Sequence, residues 1–172
     1  MKNTTLCYIE KDGCYLMMHR TKKDRDVNHD KWVGVGGKFE EGETDEDCLL
    51  REVREETGLR LTSYKKRGIV TFLSDEWEGE YMHLYTADGF EGEPFSSNDC
   101  AEGELCWIPK RDVYRLPVWQ GDLLFFKELE ENEDFFTMLL RYEGDRLVGY
   151  EKNGVALDVK SQLFQTGKQL DI

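Results

Sequence analysis

From Gly37 to Leu59 the chain reads GKFEEGETDEDCLLREVREETGL, and this stretch constrains the fold more than any other. It follows WVGVGG at Trp32–Gly37, which is too rich in glycine for an ordinary strand. Glycine there predicts backbone lying close to a ligand or held in unusual dihedrals. Thr44 followed by Asp47 resembles a capping box, with Asp45 and Glu46 in a first turn where the helix dipole favours acids. The pattern predicts a helix running to about Thr57 and stopping at Gly58, well suited to the C′ position. At 3.6 residues per turn, Glu52, Glu55 and Glu56 fall within an arc of roughly 100°. Leu49, Leu50, Val53 and Thr57 occupy the adjoining stripe. One edge of the helix is thus expected to pack on the core, while the next presents three carboxylates at a cleft.

Like charges one turn apart cost only a few tenths of a kcal/mol when solvated. Beside an apolar wall the cost rises, which favours a bound cation. Oxygen donors without cysteine or histidine suit Mg2+ or Mn2+. The competing account is a solvated acidic face whose Glu–Arg pairs add solubility.

Around this helix the elements alternate. Thr4–Ile9 and Cys14–His19 read as a hairpin across Lys11-Asp12-Gly13. Thr21–Lys31 is almost wholly polar and is expected to be an exposed loop. Ser63–Leu73 and Tyr81–Phe90 read as paired strands. Glu91–Gly103 reads as a second polar loop and Glu104–Ile108 as a short strand ending at Pro109. Gly121–Glu131 has a helical apolar stripe of Leu124, Phe125 and Leu129. Phe135–Tyr142 and Arg146–Glu151 read as a closing hairpin. Strands flanking isolated helices indicate a mixed α/β or α+β class. A single domain is expected over residues 1–153, with 154–172 as a weakly patterned extension.

The 172-residue chain is long enough for one domain with a real core. Its net charge of −13 repels nucleic-acid polymers and anionic membranes. A free nucleotide arriving with a divalent cation is still admitted, because the metal cancels much of its charge. There is no apolar run of signal-peptide or membrane-spanning kind. The five cysteines form no C-x-x-C pair, so reduced thiols in a cytoplasmic protein are expected. The three histidines stand in no H-E-x-x-H setting, which argues against a zinc hydrolase.

The full pattern G-x5-E-x7-R-E-U-x-E-E-x-G-U, with U a bulky aliphatic, resembles the Nudix box, and all nine specified positions match. The resemblance implies an α/β/α sandwich with a mixed β-sheet and hydrolysis of a diphosphate linked to another moiety. Glu52, Glu55 and Glu56 are the implied Mg2+ ligands, with the backbone carbonyl of Gly36 beside them. Glu43 and Arg51 resemble the pair that orients loop against helix, in keeping with charge-assisted hydrogen bonding. Metal ions in such a site polarise phosphorus and acidify water, and a carboxylate removes its proton. Glu52 is the first choice of base. Glu102 resembles a downstream loop glutamate that acts as a further ligand or base; it reads equally as a plain loop acid. Arg20 resembles the basic residue that meets phosphate, or else is an exposed strand-end charge. Lys38 meets phosphate or is solvated.

WVGVGGKFEEGET and the later LPVWQGD resemble the MutT-type and oxidised-purine triphosphatase branch. Trp119 and Asp122 match its downstream base-pocket residues, an aromatic face and a carboxyl edge. As alternatives, Trp119 is a core tryptophan and Asp122 a helix N-cap. Val33 stands where that branch has asparagine and offers no side-chain hydrogen bond. Gly121 replaces one of two tandem acids. The resemblance therefore implies a Mg2+-dependent nucleoside triphosphate pyrophosphohydrolase, with 8-oxo-dGTP as a candidate substrate. The alternatives are a hydrolase of another nucleoside diphosphate derivative and a non-catalytic nucleotide-binding module.

Overall fold

The computed structural model describes residues 1–21, 26–95 and 104–167. Strands β1 (Lys2–Lys11) and β2 (Cys14–His19) form the expected hairpin, with Ile9 opposite Leu16. Asp12 and Gly13 both take positive φ, 52° and 75°, as a two-residue turn matched to strand twist requires. The two strands pair only beside that turn. Further along, β3 (Trp32–Val33) takes over the edge of β2, with Val33 opposite Met18. Val35 and Lys38 meanwhile bridge to Cys7 and Thr4 of β1. The glycine-rich segment therefore fills a wedge between diverging strands. A Cβ on Gly36 would overlap the Thr5 carbonyl, so only glycine permits that approach.

β4 (Arg60–Ser74) and β5 (Glu80–Glu91) pair antiparallel, and β5 runs parallel to β1. β6 (Glu104–Pro109) pairs along β2. β7 (Phe136–Glu143) runs parallel to β4 and turns back into β8 (Arg146–Lys152), which pairs with β9 (Val155–Leu157). Among the described residues the result is one mixed sheet of nine strands. Side chains alternate across it with period two. Cys7, Ile9 and Leu16 meet Leu49 and Val53 of helix α1 (Asp45–Thr57) on one face. Tyr8, Tyr15 and Met17 join a core on the other face with Leu123, Phe125 and Phe126 of α2 (Gln120–Glu131). Each such fully buried side chain contributes about 1.5–3 kcal/mol. Helices on both faces make this the expected α/β/α sandwich.

Helix α1 is capped as the sequence predicts. Thr44 Oγ1 accepts from the Asp47 N–H at 3.1 Å, and Asp47 Oδ2 accepts from the Thr44 N–H at 3.0 Å. Gly58 closes the helix at φ 79°, its N–H donating to the Arg54 carbonyl at 2.9 Å. Leu50, expected on the core stripe, is instead 38% exposed. It lies at the far edge of that stripe, past the reach of the sheet. The tail after residue 153 supplies β9 and a short helix α3 (Val159–Phe164), whose Leu163 is buried in the α2-side core.

Two further expectations are corrected. The polar segment 26–29 is half-buried rather than exposed, because Val27 packs against the α2-side core. Asp122 is not the N-cap of α2. Trp119 holds that position, and the Asp122 N–H donates to its carbonyl at 3.0 Å. The other end of α2 has no basic residue in its last turn. The buried Arg67 of β4 serves it instead, donating to the carbonyls of Asn132 and, at 3.3 Å, Leu129.

Candidate active site

Arg51 is the hub of the site. Its Nε and Nη2 grip the two oxygens of Glu43 at 2.7 and 2.8 Å, a bidentate pair. Nη2 also donates to the Lys38 carbonyl at 3.1 Å. Glu43 in turn accepts from the Glu40 N–H at 2.6 Å. The loop before α1 is thereby tied to the helix through one guanidinium. Those hydrogen bonds, Arg51 first, hold the Glu43 carboxyl down at about 2.

The remaining nitrogen of Arg51, Nη1, donates to Glu52 at 2.7 Å and to Glu55 at 3.1 Å. Glu52 is 14% exposed and its carboxylate lies against Gly37, where a Cβ would come within 2.5 Å of it. Glu55 is 57% exposed. Glu56 points to the glycine turn and accepts from the Gly36 N–H at 3.2 Å. Among the described residues no three acidic, histidine or cysteine side chains are already gathered around one point. The donor set nonetheless fits a hard divalent cation. Two carboxylates that meet at one guanidinium nitrogen can meet at one ion, and every donor is oxygen. Cys48 lies one turn earlier, fully buried, with its thiol donating to the Gly37 carbonyl at 3.4 Å. Burial, its largest influence, pushes that thiol above its ordinary value, so it stays protonated.

Beside the glycine turn opens a cavity of about 280 Å³. Gly36, Gly37, Lys38 and Arg20 line it together with Val33, Trp119 and Asp122. Residues assigned separately to phosphate and to base thus share one space. Phe72 and Met82 add apolar wall. Arg20 is not a free strand-end charge: its Nε donates to Asp26 Oδ2 at 2.9 Å. Trp119 is both core and wall. It is 5% exposed, packs edge-on against Phe72 and Tyr142, and has the Lys31 ammonium 4.5 Å over its ring. Asp122 is 7% exposed. Glu102 lies outside the described residues.

Among the lining residues that escaped the sequence reading are Tyr8, Asp26, Asn28 and Glu80. Burial, the largest influence on it, raises the Glu80 carboxyl above its ordinary range. Tyr8 and Glu80 sit in strands, where alternation marks a residue as inward without saying what it faces. The one signal for the other pair was Asp26 two residues before Asn28, the spacing of an Asx turn, inside a loop otherwise dominated by charge.

The NUDIX domain family matches residues 2–129, and the chain belongs to it: it is a Nudix hydrolase, an enzyme acting on pyrophosphate bonds. Within the family it falls in the MutT-like branch. The uncharacterized Nudix hydrolase YvcI of Bacillus subtilis is 31% identical over 126 residues, 71% of this chain and 75% of that one. The oxidized purine nucleoside triphosphate hydrolase of Danio rerio is 33% identical over 138 residues, 78% of this chain and 83% of that one. The crystal structure of the MutT protein from Bacillus halodurans superposes with a TM-score of 0.78 at 26% identity, covering 89% of this chain and 98% of that one. Enzymes of this family typically use divalent metals. No helix among the described residues is long and apolar enough to cross a membrane.

Proposed function

We propose that this chain is a Mg2+-dependent nucleoside triphosphate pyrophosphohydrolase that accepts oxidised purine nucleotides such as 8-oxo-dGTP. The observation that carries the reading is one shared cavity. It joins the glycine turn of the carboxylate helix to Val33, Trp119 and Asp122. The name of the Danio rerio relative, an oxidized purine nucleoside triphosphate hydrolase, supports the same substrate class.

Glu52, Glu55 and Glu56, with the Gly36 carbonyl, would hold Mg2+, which when bound neutralises phosphate oxygens and makes water a better nucleophile. The chain's own residues do the rest. Arg20 and Lys38, which both line the cavity, meet phosphate oxygens. Glu52 accepts the proton of the attacking water. Arg51 orients Glu52 and Glu55 through its Nη1 hydrogen bonds. Water adds to a phosphorus of the α–β linkage, its bond to the bridging oxygen breaks, and the products are a nucleoside monophosphate and diphosphate.

The test is turnover with Mg2+ on 8-oxo-dGTP, canonical dNTPs, ADP-ribose and dinucleoside polyphosphates, for wild type and Glu55→Gln. Triphosphates should be hydrolysed best, and Glu55→Gln should cut kcat by about 10²-fold or more with the fold intact. A preference for ADP-ribose or a dinucleoside polyphosphate would move the chain to another substrate class. Full activity in Glu55→Gln would remove that residue from the metal site.

A further inference from the structure

Asn28 sits in the turn before β3 and lines the cavity beside Trp119. Its backbone N–H donates to Asp26 Oδ1 at 3.2 Å, and its carbonyl accepts from the Lys31 N–H at 2.8 Å. Asp26 is itself held by Arg20. The turn is therefore pinned from both sides. The side-chain Oδ1 of Asn28 accepts from the indole Nε1–H of Trp119 at 2.8 Å.

That last bond has a chemical consequence. An indole N–H only donates, so the atom facing it must be the amide oxygen. The twofold ambiguity of an asparagine amide is thus removed. What is left of the side chain is Nδ2, a donor that cannot exchange places with its oxygen while Trp119 holds it. In the same cavity the Asp122 carboxylate and the Tyr8 hydroxyl are both buried. A cavity with such groups in its lining suits a polar ligand edge.

We propose that Asn28 is a specificity-determining residue that selects 6-oxopurine nucleotides over 6-aminopurine nucleotides. The inference rests on the reading that Trp119 and Asp122 line the base end of the cavity. A 6-oxopurine such as guanine presents an acceptor at O6, whereas a 6-aminopurine such as adenine presents an N6 amino donor there. A locked Nδ2 donor bonds the first and confronts the second donor to donor. A freely flipping amide would suit both. Asn28 therefore does at residue 28 what Val33 has no side-chain group to do.

The test is metal-free binding of dGMP, 8-oxo-dGMP and dAMP to the full chain by calorimetry, for wild type, Asn28→Asp and Asn28→Ala. Asn28→Asp keeps an acceptor for Trp119 and removes the donor. Wild type should prefer the two guanine nucleotides over dAMP. Asn28→Asp should reduce that preference about tenfold. Using the ratio cancels the added negative charge, which weakens all three nucleotides alike. Asn28→Ala should lose the preference as well, and it carries the comparison if the aspartate variant does not fold. An unchanged ratio in the folded variant, or no preference in wild type, overturns the assignment. Triphosphate turnover is measured separately. A chain that hydrolyses none of them but still loses the binding preference would refute the proposed reaction and leave Asn28 in place.

Discussion

A single guanidinium organises most of the charge in this site. Arg51 faces Glu43, Glu52 and Glu55 at 2.7–3.1 Å, so removing any partner redistributes the others. The Glu43 contact has a defined pH signature. Its carboxyl lies at about 2 against an ordinary 4.5, with Arg51 hydrogen bonding as the main cause. A depressed carboxylate stabilises the fold above its ordinary value, and that contribution is lost as pH falls toward the folded value. Glu43→Gln should therefore lower Tm at pH 7, and the gap from wild type should close between pH 4.5 and 2. Thermal melts across that range check it; a gap that is constant with pH would mean the pair carries no ionic contribution.

At the scale of elements, the bounds and caps of α1 were legible in the sequence. Its caps act through neighbours one to four residues away, so local spacing specifies them. Leu50 marks where that reading stops, because helical periodicity orients a side chain without saying how wide the contacting sheet is. The tail shows the opposite case. Its sequence pattern is weak, yet α3 forms because Leu163 finds the apolar faces of α2 and β8, not because six residues are stable as a helix alone. Leu163→Ala should cost about 2–5 kcal/mol, the range for truncating a buried leucine. Chemical denaturation measures it. A loss under 1 kcal/mol would show the tail to be dispensable to the core.

Across the whole molecule, a net charge of −13 and three carboxylates on one helix edge set up repulsion that a divalent cation bound there would relieve. A ligand bound only by the native state raises stability by mass action, about 2.7 kcal/mol at a hundredfold excess over Kd. Millimolar Mg2+ should therefore raise Tm beyond a KCl control of equal ionic strength. The increment should vanish in a Glu52→Gln, Glu55→Gln double variant. An equal Mg2+ increment in that variant would place the cation elsewhere.

Residues 37–59 by themselves determined the chemistry of this protein. Gly37, Glu43, Arg51, Glu52, Glu55 and Glu56 stand at offsets that one turn and one helix convert directly into geometry. The fold class followed from alternating strand and helix patterns, which are also local. How the cavity's lining residues come together was decided by tertiary structure. Asn28 and Trp119 are 91 residues apart, and Tyr8, Val33, Glu80 and Asp122 reach the same space from separate elements. Their meeting depends on how β1 and β2 diverge and where α2 docks. No spacing along the chain encodes that, because it is set by packing across the sheet.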